Sequence, residues 1–136
     1  MGEILEKLLV PLPDIRTLPS VEARLIIAFR LAVIASKNEY DCLDHLSDRL
    51  GGRRAATRIL ILAETIGSAW QEPFQIGRPC CSQTTPDEIW LMAAIRLAAG
   101  DNRPGFDSLS CEMLGDCERE RIYQDLENFV AAYAGA

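Results

Sequence analysis

The sequence predicts an all-α protein, a compact single-domain bundle of six to seven helices joined by a long central loop. Three observations carry that prediction. Apolar residues recur at helical spacing through most of the chain, no segment alternates apolar and polar residues between turn signals as a strand would, and glycine and proline stand where helices should start and stop. A chain of 136 residues has room for one hydrophobic core, and 49% apolar with 25% charged residues is the composition of a folded globular chain. No fixed-period repeat, low-complexity tract or interdomain linker interrupts it.

Taken in order, residues 2–10 form a short amphipathic helix candidate through Ile4, Leu5, Leu8 and Leu9, which Pro11 and Pro13 stop. The segment 1–19 reads as weakly attached to the rest of the domain. Ser20 is a suitable N-cap for the next helix. From 21 to about 36 the sequence is apolar nearly all round, the mark of a helix surrounded by others, so this is the expected central helix. Residues 38–50 make a shorter helix with Tyr40, Leu43, Leu46 and Leu50 on its apolar side, broken by Gly51-Gly52.

Residues 53–70 show the clearest pattern. Ala56, Ile59, Leu60, Ala63, Ile66, Gly67 and Trp70 lie on one stripe, and Ala63 with Gly67 predicts close approach of a neighbouring helix. The central loop, which holds Cys80-Cys81, leads into Thr85-Pro86-Asp87-Glu88. There threonine caps, proline takes the first helical position and glutamate completes a capping box. The helix 86–99 ends at Gly100. A short helix over 104–114 turns Phe106, Leu109 and Met113 inward, and a last helix runs from about Asp116 to Tyr133 with Ile122, Leu126, Phe129, Val130 and Tyr133 as its stripe.

Charge and cysteine usage narrow the function classes. A net charge of −6 lacks the positive field that binds phosphate backbones, so neither nucleic acid nor membrane is an expected partner. Glu3 and Glu6 interrupt what would be the apolar core of an export signal, and the longest apolar run, 25–35, contains Arg30 and is too short to span a bilayer. Five cysteines, an odd number, match no secreted disulfide framework. The expectation is a soluble cytoplasmic protein with reduced thiols.

Three residue groups are candidate sites. Cys80 and Cys81 are adjacent thiols in a long irregular passage, and such a loop is uncommon without a reason. They read either as small apolar residues pinning the loop to the core, or as metal or redox groups joined by Cys42, Cys111, Cys117 and His45, with zinc the metal. Second, Asp41 with His45 and Asp44 with Asp48 stand four apart on one helix, a spacing that suits a metal and equally a solvated acidic face. Third, Gly52, Arg53 and Arg54, with Arg58 one turn on, combine free backbone N–H groups and guanidinium groups. They form either an anion site, with Glu64 as an acid further along, or arginines paired with neighbours such as Asp48. The phosphate-loop spacing and its lysine are missing, and one histidine with no nucleophile elbow gives little basis for catalysis.

Two of these motifs resemble a family of small, uncharacterised, all-helical bacterial proteins with no assigned function. One is Gly52-Arg53-Arg54 opening an apolar helix that carries Glu64, and the other is Pro79-Cys80-Cys81 leading to the cap at Thr85 and Glu88. The resemblance covers about 51–114. It implies a real folded domain and names no reaction, and where the family often has a third cysteine this chain has Ser82. Together these readings predict a non-catalytic interaction or regulatory module that binds a protein partner or a second copy of itself. A thiol or metal protein, and a binder of a small anion at the arginines, are the alternatives.

Overall fold

The computed structural model describes residues 13–39 and 41–134. Among these, six α-helices follow one another without a strand: α1 (Ser20–Lys37), α2 (Leu43–Leu50), α3 (Arg53–Ala69), α4 (Pro86–Ala99), α5 (Arg103–Ser110) and α6 (Asp116–Ala134), preceded by a single 3-10 turn at Ile15–Thr17. The helix expected over 2–10 and the apolar role expected of Tyr40 lie outside the described residues. None of the described helices is long and apolar enough to cross a membrane.

α3 lies at the middle of the packing, against α6, α1 and α2, while α4 packs on α6, α5 and α1. α1 is buried on most of its circumference, through Leu25, Ile26, Ala28, Phe29, Ala32, Val33 and Ala35, as a central helix should be. α6 contributes Ile122, Tyr123, Leu126, Phe129 and Ala132 to the same core. α3 and α6 are also joined by a hydrogen bond, Thr65 Oγ1 donating to Asp125 Oδ2 at 2.5 Å.

The boundaries follow local chemistry. Glu39 adopts a left-handed φ of 52°, which ends α1, and the Asp41 carboxylate then accepts from Leu43 N to start α2. The segment expected to be helical from 38 is therefore a turn followed by a helix of only eight residues. Gly51, with φ 81°, takes the left-handed position that closes α2. Ser20 is not a cap. Pro19 holds the cap position and Ser20 is already helical.

Two packing expectations are corrected. Met113 lies beyond the end of α5, in turns closed by the Ser110 carbonyl, and is 40% exposed instead of facing inward. Gly67 does not admit a neighbouring helix, because a Cβ built there would meet nothing within 4 Å. The capping box at Thr85 and Glu88 forms as the sequence predicts, with both reciprocal hydrogen bonds in place.

The Thr65–Asp125 bond ties the two best-packed helices through a charged acceptor, so Thr65→Val should lower stability by about 1.5–3 kcal/mol. Urea unfolding monitored by circular dichroism measures it. An unchanged midpoint would show that the bond does not contribute.

Candidate functional site

Residues 70–85 connect α3 to α4 with no regular structure, so their backbone groups need partners from elsewhere. Three of those partners come from one side chain. Arg30, inside the apolar run of α1, is completely buried, and all five of its N–H donors are used. Nε donates to Glu88 Oε2 at 2.6 Å and Nη2 to Glu88 Oε1 at 2.9 Å. Nη1 donates to the carbonyls of Arg78 at 2.9 Å and Cys81 at 2.6 Å, and Nη2 also reaches the Gln83 carbonyl at 2.9 Å.

The Glu88 carboxylate is equally complete. Besides Arg30 it accepts the backbone N–H of Gly77 and of Thr85. A forked guanidinium and a planar carboxylate meet in parallel hydrogen bonds, the strongest geometry open to this pair. Glycine at 77 follows from it. A Cβ there would stand 2.5 Å from Arg30 Nη2 and 2.7 Å from Cζ, where the guanidinium has no freedom to retreat.

Further contacts hold the rest of the loop. Gln75 N donates to Asp87 Oδ2 and the Gln75 carbonyl accepts from Thr85 Oγ1. The segment before α1, expected to be weakly attached, is anchored here from Pro13 onward. Ile15 N donates to the Ser82 carbonyl, and Thr84 donates to the Pro13 carbonyl through both N and Oγ1. Ile15 is buried. Paired with Arg16, Asp14 has its carboxyl drawn down from the ordinary 3.8 to about 2 by the hydrogen bonds that Arg16 donates. Phe74 enters the core, edge to face with Phe29 at 5.4 Å and Trp70 at 5.0 Å. The tip, Arg78, Pro79, Cys80 and Cys81, is exposed throughout, as are Gln71, Glu72, Pro73, Gln75 and Gln83 on either side of it.

Cys80 and Cys81 therefore do not pin the loop to the core. The backbone of Cys81 is held, through its carbonyl on Arg30 and its N–H on the Arg78 carbonyl, and its thiol donates to the Gln83 carbonyl at 3.9 Å, while both cysteines are exposed. Cys111 and Cys117 are exposed as well, and Cys42 is buried, where desolvation first and Asp41 second push its thiol pKa up. Among the described residues no group of three or more His, Cys, Asp or Glu side chains comes together to hold a metal, so the structure does not unite the five cysteines with His45.

The acidic helix face divides in the same way. His45 is exposed and accepts from Arg49 Nε at 3.3 Å, Asp41 starts α2, and Asp44 pairs with Arg53 at 3.0 Å. Asp48 lies instead with Arg24, Arg49 and Gly51 along an open cleft. The arginines of α3 remain together. Arg53, Arg54 and Arg58 border a shallow cleft of about 320 Å³ with Thr57 and Ile61, at a helix start where Gly52 supplies no side-chain cap. The Arg53–Asp44 pair is open to solvent and contributes little to stability. Glu64 is exposed further along α3.

Arg30 is the residue that sequence reasoning passed over, and its signal was visible. A cation in the middle of an apolar helix requires a buried partner. Glu88 was seen only as a capping residue.

Comparison with protein families, with curated proteins and with solved structures finds no match to this chain.

Two measurements test this geometry. Gly77→Ala forces a methyl group against the fully bonded guanidinium and should destabilise the protein by about 1–3 kcal/mol, read from the urea midpoint; an unchanged midpoint would contradict the contact. In a thiol titration of the native protein, Cys80, Cys81, Cys111 and Cys117 should react quickly and Cys42 only on unfolding. Fast reaction of all five would contradict the burial of Cys42.

Proposed function

We propose that the protein is a non-catalytic helical interaction module, acting in the cytoplasm, whose working surface is the tip of the 70–85 loop. One observation carries this reading. A fully buried arginine and its carboxylate partner are committed to fixing one irregular loop, and the residues so presented, Arg78 to Cys81, are exposed. A buried ion pair contributes little net stability but imposes one geometry on what it touches. A loop held this firmly presents the same tip to every partner, which lowers the ordering cost of binding.

The tip combines a guanidinium, a proline and two thiols, a surface suited to a protein partner with an acidic and apolar face. Such a module accords with the helical bacterial family that the Gly52-Arg53-Arg54 and Pro79-Cys80-Cys81 motifs resemble. A second reading, thiol chemistry at the tip, is favoured by the exposure of both adjacent cysteines. Self-association through this surface is a further form of the first reading, and sedimentation detects it as a doubled mass that Arg78→Ala returns to the monomer.

The test uses two tip variants, Arg78→Ala and Cys80→Ser/Cys81→Ser, as baits beside the wild type in extracts of the source cell. Both should keep the wild-type helical signal and Tm. A partner held by wild type and lost with Arg78→Ala supports recognition by the tip. Loss with the serine pair alone supports the thiol reading, and retention of every partner by both variants would overturn the proposal.

A further inference from the structure

The tip of the 70–85 loop is a turn from Arg78 to Cys81, closed by Cys81 N donating to the Arg78 carbonyl at 2.9 Å. Both end carbonyls of that turn accept from one atom, Arg30 Nη1, which holds the turn from its buried side. Two consecutive cysteines are thereby placed in solvent on a fixed backbone. Nothing in the packing asks for sulfur there. Free cysteine is among the most buried residue types, and reactivity is the usual reason for keeping one where packing does not need it. Cys81 Sγ makes only a long hydrogen bond, 3.9 Å to the Gln83 carbonyl, for which a hydroxyl would serve as well.

The number and spacing of the donors select an occupant. Among the described residues no third His, Cys, Asp or Glu joins the pair, whereas a closed zinc site takes four ligands. Hard cations take oxygen ligands. Two thiolates alone suit a soft ion that accepts two ligands in line, and copper(I) is the thiolate-bound ion of that kind. The spacing is set by the chain itself, because consecutive Cα atoms stand about 3.8 Å apart. Disulfide-bonded pairs usually have Cα atoms roughly 4.4–6.8 Å apart, so a bridge between these two thiols is disfavoured. Rotation about the two χ1 angles can still bring both sulfurs to one ion while the backbone stays on Arg30.

We infer that Cys80 and Cys81 together bind one copper(I) ion as a two-coordinate site at the loop tip. Two thiols give up their protons, two S–Cu bonds form, and the ion stays copper(I) throughout. The inference rests on the second reading of the tip, its thiol chemistry. Joining both thiols in one turn gives the second sulfur an effective concentration of about millimolar or more, an advantage that separate thiols lack.

Anaerobic titration of the reduced protein with copper(I) held by bathocuproine disulfonate, in excess glutathione, tests the inference. Each chain should withdraw a single copper ion, and X-ray absorption should show two sulfur ligands. Cys80→Ser and Cys81→Ser should each abolish the capture with Tm unchanged, and Cys111→Ser/Cys117→Ser should leave it intact. Capture by either folded tip variant, three or more sulfur ligands, or no capture at all overturns the inference. Thiol titration of the same samples separates the two readings. Fast reaction of Cys80 and Cys81 without copper capture removes the copper site and leaves the thiol reading standing, while slow reaction of both removes that reading as well.

Discussion

The buried pair of Arg30 and Glu88 is the interaction on which the arrangement of this protein depends. Taking both charges out of water costs several kcal/mol, and the cost is offset only because all five guanidinium donors are used and each carboxylate oxygen accepts two hydrogen bonds. The guanidinium satisfies three loop carbonyls that no helix or strand could satisfy, and the carboxylate satisfies an N–H on each side of the tip. Without the pair, a loop of this length would have to leave buried backbone groups unpaired or move into solvent. The buried pair joins α1 to α4, alongside the Glu22–Arg96 pair nearer the surface, and it determines the path of the chain between α3 and α4.

Other features depend on that path. Phe74 reaches the core beside Phe29 because the loop is held there, and its ring continues a chain of aromatic contacts through Trp70, Trp90, Phe106 and Tyr123. The segment before α1 is anchored because the Ser82 carbonyl and the Thr84 donors are presented to it.

Much of the fold was legible in the sequence. The helical stripes of α3 and α6, the all-round apolar character of α1, the glycine stop after α2 and the capping box of α4 are local signals, and each of these features is present. What local patterns cannot express is which buried groups meet. Arg30 and Glu88 are 58 residues apart, and no periodicity connects them. The same limit explains the cysteines. One reading of Cys80 and Cys81 made them core residues, because free cysteine is often buried, but it is the backbone of Cys81 that is held, and both cysteines are exposed. Gly67 read as a helix-contact glycine because its place on the stripe was visible and the emptiness above it was not.

The most direct test replaces both members of the pair, Arg30→Met with Glu88→Met, which removes the charges together and leaves neither orphaned. Amide hydrogen exchange of this double variant against the wild type separates loop order from overall stability. In the double variant the amides of Gly77, Cys81 and Thr85 should lose their protection while those of α3 and α6 keep theirs. Undiminished protection at these three loop amides would contradict this and show that the loop is held by other contacts.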